Sequence, residues 1–88
     1  MNYSVKYKKS ALKQLNKLDV PIRERIKAWI DDNLQGCENP RQQGKALHGE
    51  WHGYWRYRVG DYRIVVQIKD EKIIILVVKI DKRGEVYS

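Results

Sequence analysis

Residues 55–69, Trp-Arg-Tyr-Arg-Val-Gly-Asp-Tyr-Arg-Ile-Val-Val-Gln-Ile-Lys, decide the fold of this chain. Aromatic and β-branched residues on both sides of Gly60-Asp61 predict two antiparallel strands joined by a two-residue turn. With those two residues at the centre of the turn, Arg58 lies directly opposite Arg63. This register determines which side chains share a face of the hairpin.

The predicted hairpin has one apolar and one basic face, because successive residues of a strand point to opposite sides. The apolar face carries Trp55, Tyr57, Val59, Tyr62, Ile64, Val66 and Ile68. The other face carries Arg56, Arg58 and Arg63, together with Val65 and Gln67. We expect helices to cover the apolar face and water to reach the basic one.

The flanking sequence supplies those helices and two further strands. It predicts a first strand over residues 2–7, helices from about Lys8 to Leu18 and from Pro21 to Leu34, an exposed loop over 37–50, and a last strand after residues 70–71. The resulting order is β-α-α-β-β-β. We therefore predict one α+β domain, residues 1–88, in which a helical hairpin packs on one face of an antiparallel sheet.

Composition limits the classes of protein that remain. The 88 residues include 18 lysines and arginines against 11 acidic residues, so the formal net charge is +7 and a polyanion is an attractive partner. The lone Cys37 excludes an internal disulfide, and no histidine or cysteine cluster has the spacing of a metal site. Without a signal-like or membrane-spanning apolar run, we expect a cytoplasmic protein that uses no cofactor.

The three arginines of the hairpin are the strongest candidates for function. Like charges directly opposite each other oppose folding by up to about 1 kcal/mol, and no acidic residue is expected among them. The planar guanidinium group matches phosphate oxygens, so the conflict indicates a site kept for a phosphate-bearing ligand. Removal of Arg63 is accordingly expected to leave stability unchanged or slightly higher.

The sequence of the hairpin also resembles the signature of a known protein family. The run of residues 53–65, Gly-Tyr-Trp-Arg-Tyr-Arg-Val-Gly-Asp-Tyr-Arg-Ile-Val, resembles the signature of the RelE/ParE toxin superfamily, as do Leu47-His48-Gly49 and the tail from Lys82 to Tyr87. The resemblance implies a type II toxin that a cognate antitoxin holds inactive in a hetero-oligomer. It further implies that the toxin enters the ribosomal A site and cuts mRNA there.

The resemblance also implies roles for individual residues. Arg63 corresponds to a catalytic arginine of RelE-like nucleases, and Arg56, Arg83 and Tyr87 match further positions used for activity. Four more cations, Arg58, Lys45, Lys79 and Lys82, are expected to bind RNA. The RNA supplies its own nucleophile, the 2′-hydroxyl group, so no metal is required, and the expected products are a 2′,3′-cyclic phosphate and a 5′-hydroxyl.

The groups that transfer protons remain open, since arginine stays protonated and is a poor base. The candidates are Lys45, His48, His52, Lys79 and Lys82, with surface positions expected for both histidines. Trp51 is assigned neither to the core nor to base stacking.

Two other functions are compatible with the sequence. A ParE-like toxin shares the fold but poisons DNA gyrase. A non-catalytic module would bind RNA and leave it intact.

Overall fold

The computed structural model describes residues 2–82 of the chain and consists of two helices and a five-stranded sheet. The helices are α1 (Lys9–Asn16) and α2 (Val20–Asn33). The strands are β1 (Ser4–Tyr7), β2 (Lys45–Ala46), β3 (Trp55–Val59), β4 (Tyr62–Lys69) and β5 (Ile74–Lys82). Short 3-10 turns occupy Gly49–Trp51 and Asp70–Lys72. The α+β class predicted from the sequence is confirmed.

The strands lie in the order β1-β5-β4-β3-β2. Arg58 pairs with Arg63 across β3 and β4, so the predicted hairpin register is confirmed. Two details differ from prediction: β1 pairs with β5 in parallel, which makes the sheet mixed, and β2 arises within the segment predicted as loop. Local patterns could not reveal either feature, because the partner of β1 is distant in sequence and β2 has only two residues, too few to show alternation.

Both helices pack on one face of the sheet, which we call the inner face. The core is formed by Ala11, Leu15, Ile26, Ile30 and Leu34 of the helical segment and by Tyr57, Val59, Ile64, Val66, Ile75, Val77 and Ile80 of the sheet. The apolar face predicted for the hairpin is therefore the buried one. Leu12 of α1 is exposed, because it lies about 100° around the helix from the buried Ala11. Within residues 2–82, no helix combines the length and apolarity needed to cross a membrane.

The segment between α2 and β2 is held in place by side chains from distant elements. Both terminal nitrogens of Arg41 donate to the carboxylate of Asp70 at 3.0 Å, and the Tyr3 hydroxyl donates to the same carboxylate at 2.7 Å. These contacts, the guanidinium first, lower the pKa of Asp70 below its ordinary value. The Tyr57 hydroxyl donates to the Pro40 carbonyl, and burial raises the pKa of Tyr57.

Candidate active site on the outer face of the sheet

The opposite face of the sheet, which we call the outer face, carries two rows of functional candidates. Register places Lys45, Arg56, Val65 and Lys79 side by side on four adjacent strands. The next row contains Arg58, Arg63 and Asp81. Strands lie about 4.8 Å apart, so the first row spans roughly 14 Å at the backbone. Five cations and one carboxylate thus share this surface.

A bulge in β5 brings Lys79 and Asp81 to the outer face. Val65 of β4 lies opposite Lys79, whereas its neighbour Val66 lies opposite Val77, so Val78 is an extra residue. Val77 is buried on the inner face, and simple alternation would place Lys79 there as well. The extra residue reverses the alternation, because a slip of one residue exchanges the two faces of a strand.

Arg63 forms an ion pair with Asp81 on the neighbouring strand. Its Nε and Nη2 atoms donate to the two carboxylate oxygens at 3.2 and 3.1 Å, and Lys79 Nζ lies 3.5 Å from the same carboxylate. The side chains of Arg63 and Asp81 are only 19% and 14% exposed. The expectation that no acidic residue lies among the arginines was therefore wrong, because Asp81 reaches this face only through the bulge.

Arg63 and Lys79 line a cavity of about 190 Å³ that we call the outer groove. Its other lining residues are Leu47, His48, Trp51 and Val65. Val65 belongs to the outer face, yet it is only 2% exposed. The segment before β3 therefore folds over the sheet at this point and turns a flat basic surface into a concave site.

Sequence reasoning named His48 only as one of five open candidates for proton transfer and left Trp51 unassigned, whereas both line the outer groove. The turn that carries them is closed by hydrogen bonds from the Leu47 amide to the Tyr54 carbonyl and from the Tyr54 amide to the Trp51 carbonyl, both 3.0 Å. Gly49 and Gly53 have φ angles of 69° and 95°, a region that favours glycine. This pair of glycines was the available signal that the segment folds back on itself.

The other predicted site residues lie away from the outer groove or outside the described residues. Lys45, Arg56 and Arg58 line a second cavity, of about 250 Å³, beside Trp29 at the β3 edge. Lys82 pairs with Tyr62, which packs against the core, so register places Lys82 with the inner-face residues. Arg83 and Tyr87 lie outside the described residues.

The arrangement is suited to holding a phosphate group beside a proton-transfer group. Guanidinium and ammonium groups donate charge-assisted hydrogen bonds to phosphate oxygens, and an imidazole exchanges protons near neutral pH. Within residues 2–82, no three histidine, cysteine or acidic side chains are grouped so that they could hold a metal ion. The fold and this surface define a class: a small basic α+β protein with a cationic groove on one face of its sheet.

Comparisons with known proteins identify the family within that class. The family model described as "ParE toxin of type II toxin-antitoxin system, parDE" matches residues 5–87. The mRNA interferase toxin RelE of Escherichia coli is 35% identical over 91 aligned positions, which cover 100% of this chain and 93% of that protein. The chain therefore belongs to the RelE/ParE superfamily of type II toxins.

Solved structures agree with this assignment. The toxin–antitoxin complex RelBE2 of Mycobacterium tuberculosis contains a chain that matches with a TM-score of 0.84 and 28% identity, over 94% of this chain and 100% of that one. The isolated E. coli RelE toxin matches with a TM-score of 0.73 and 31% identity, over 97% of this chain and 90% of that one. The fold predicted from the resemblance is thereby confirmed.

Proposed function

We propose that this toxin is an endoribonuclease that cuts mRNA in the ribosomal A site and thereby inhibits translation. The observation that carries the proposal is the convergence of Arg63, Lys79 and His48 on the outer groove. The name of the E. coli relative, an mRNA interferase, supports the same activity. Cations that hold a phosphate and a neighbouring imidazole are the groups that RNA cleavage by its own 2′-hydroxyl requires.

In the proposed reaction, the 2′-oxygen attacks the adjacent phosphorus atom, a new O2′–P bond forms and the P–O5′ bond breaks. The proton of the 2′-hydroxyl passes to a base, and the leaving 5′-oxygen gains a proton. Arg63 and Lys79 stabilise the negative charge that develops on the phosphate oxygens. The products are a 2′,3′-cyclic phosphate and a 5′-hydroxyl, and no metal ion takes part.

His48 is the group that we propose for proton transfer from the 2′-hydroxyl. Of the five candidates named from the sequence, His48 and Lys79 line the outer groove. Neutral imidazole accepts a proton readily near pH 7, whereas a lysine ammonium group first has to lose one. Lys79 Nζ is moreover held in an ion pair, 3.5 Å from the Asp81 carboxylate.

The remaining cations contribute to RNA binding in this proposal. Lys45, Arg56 and Arg58 lie together at the β3 edge and neutralise phosphates next to the cleaved one, with Arg56 also serving in catalysis. Arg83 and Tyr87, which lie outside the described residues, complete the proposed catalytic set, and Lys82 is proposed to bind RNA from the end of β5. Such a surface gives binding that weakens steeply with salt.

The proposed partner in the resting cell is a cognate antitoxin protein. Structural relatives were solved as complexes of RelE-type toxins with their antitoxins. An acidic antitoxin segment would complement the +7 charge of this chain and cover the outer face in a hetero-oligomer. Both proteins are proposed to act in the cytoplasm, and residues 1–88 are proposed to form one domain.

The test is cleavage of a defined mRNA on programmed ribosomes, with analysis of the ends of the fragments. We expect a cyclic phosphate and a 5′-hydroxyl. A 3′-hydroxyl and a 5′-phosphate would exclude attack by the 2′-oxygen. His48→Ala should slow cleavage about 100-fold or more, as expected for loss of a proton-transfer group. Lys27→Ala removes one exposed charge from α2 and serves as the control.

A gyrase-poisoning activity is the second candidate, because the matching family model bears the ParE name. A DNA supercoiling assay with the same protein preparation separates the two. Inhibition of supercoiling together with intact mRNA would replace the nuclease proposal, whereas cut mRNA with unaffected supercoiling would support it.

A further inference from the structure

We propose that Trp51 forms a stacking site for a single RNA base at the edge of the outer groove, an inference that rests on the proposed function. Trp51 lines the groove together with Arg63 and Lys79. A base stacked on the indole ring would place its own backbone phosphates beside these two cations. The site would thus determine which nucleotide is held next to the cleaved bond.

Exposure supports a role in binding. Trp51 is 38% exposed. Among the described residues, the only other large apolar side chains that are exposed are Leu12 and Val20. Those two lie on the helices, whereas Trp51 lies beside Arg63 and Lys79 in the outer groove. An exposed aromatic ring between cations is the usual arrangement for single-stranded RNA, because every base has a flat face on which to stack.

The ring is held in position before any ligand arrives. Tyr54 packs edge-to-face against Trp51, with ring centroids 5.2 Å apart and planes at 83°. The Trp51 carbonyl accepts a hydrogen bond from the Tyr54 amide at 3.0 Å. Lys79 Nζ lies 5.5 Å from the centroid of the Trp51 ring, which is within the range of a cation–π contact. A rigid platform loses little conformational entropy when a base binds.

The size of the groove suits one flat group. Its volume of about 190 Å³ lies below the roughly 300–1,000 Å³ typical of pockets that enclose a whole small molecule. Val65 forms its apolar floor, and Leu47 adds a second apolar contact. A single base fits this description, with its sugar and phosphates outside and in contact with the cations.

The experiment measures single-turnover cleavage on programmed ribosomes. The mRNAs carry either intact nucleotides or one abasic nucleotide at each successive position of the A-site codon. Trp51→Leu should slow cleavage of intact mRNA about 5- to 150-fold, the range for loss of one base–aromatic stack. Trp51→Phe, which keeps a ring, should recover most of the rate. Val20→Ser, which changes an exposed apolar residue away from the groove, is the control.

The decisive result is whether Trp51→Leu and the abasic nucleotide have coupled effects on the cleavage rate. At one position, the abasic nucleotide should slow the wild-type toxin but should not slow Trp51→Leu further. If the two losses multiplied at every position, Trp51 would only cover Val65 and the stacking site would not exist. The nuclease proposal would survive that outcome, since wild-type cleavage is measured in the same assay.

A second readout does not require cleavage. A short RNA with 2′-O-methyl groups lacks the nucleophile, and its binding should quench the tryptophan fluorescence of the free toxin. We expect Trp51→Phe to lose most of the quenching and Trp55→Phe, which changes a ring packed against the core whose Nε1 donates to the Gln43 carbonyl, to retain it. Equal quenching in both variants, or none in the wild-type protein, would overturn the stacking site even if the toxin proved inactive on ribosomes.

Discussion

The two faces of the sheet are built from the same strands yet differ in almost every physical respect. On β4, Ile64 and Val66 are fully buried against the helices, whereas Arg63 points to the opposite side and lies in a groove among cations. Among residues 2–82, no charged side chain is buried in the core. Alternate residues of one strand therefore serve different purposes: the inner ones stabilise the fold and the outer ones provide the proposed chemistry.

Arg63 contributes both to the stability of the fold and to the proposed chemistry. Arg63→Ala should therefore have the largest effect on the cleavage rate. Loss of one donor to the developing phosphate charge should slow cleavage about 100- to 1,000-fold. The substitution also leaves the 14% exposed Asp81 carboxylate with Lys79 as its one ion-pair partner among residues 2–82. This loss costs about 1–3 kcal/mol and outweighs the relief of repulsion from Arg58. The melting temperature should fall by several degrees.

Thermal unfolding and ribosome-programmed cleavage are measured on the same preparation, with Lys27→Ala as the charge-matched control. An unchanged cleavage rate would show that the outer groove is not the active site. A rate lost in proportion to the unfolded fraction would show that Arg63 is structural. The earlier expectation of unchanged stability considered Arg58 but not Asp81.

Asp81→Asn should separate binding from catalysis. The carboxylate holds the Arg63 guanidinium at two atoms and also reduces the positive charge of the surface. Its removal should let Arg63 move and lower kcat about tenfold, while KM for programmed ribosomes falls because the surface becomes more positive. Steady-state kinetics test this split. A rise in KM together with an unchanged kcat would contradict the positioning role.

Ile64→Val tests the inner face next to Arg63. Removal of one methylene group from a fully buried side chain should cost about 0.5–1.5 kcal/mol and lower the melting temperature by roughly 4–8 °C per kcal/mol. Cleavage per folded molecule should not change. A large loss of activity below the melting temperature would mean that packing on the inner face affects catalysis on the outer face, contrary to the division of roles between the two faces.

The smallest effect is expected at Asp70, far from either face. Arg41 and Tyr3 hold the pKa of Asp70 below its ordinary value, so its contribution to stability is complete above the unfolded pKa of about 3.9 and disappears as the pH falls through the folded value. Asp70→Asn should lower the melting temperature by a few degrees at pH 7 and by less near pH 3. A constant difference across this range would show that ionisation is not involved.

The sequence by itself determined the α+β class, the hairpin register and the basic face that carries Arg56, Arg58 and Arg63. These features follow from alternation and turn chemistry, which act over a few neighbouring residues. The resemblance of residues 53–65 likewise indicated the superfamily. Local sequence also placed Tyr57, Ile64 and Val66 in the core, because apolar side chains on one side of a strand have to be covered.

Only the tertiary structure decided what surrounds the arginines. The bulge at Val78 exchanges the faces of β5, so Lys79 and Asp81 join Arg63, and nothing in the Val/Ile/Lys pattern of that strand marks the extra residue. The turn that carries His48 and Trp51 closes over Val65 through backbone hydrogen bonds. The bulge depends on the register of strands that are distant in sequence, and the turn depends on positive φ angles at Gly49 and Gly53. Side-chain periodicity contains information about neither.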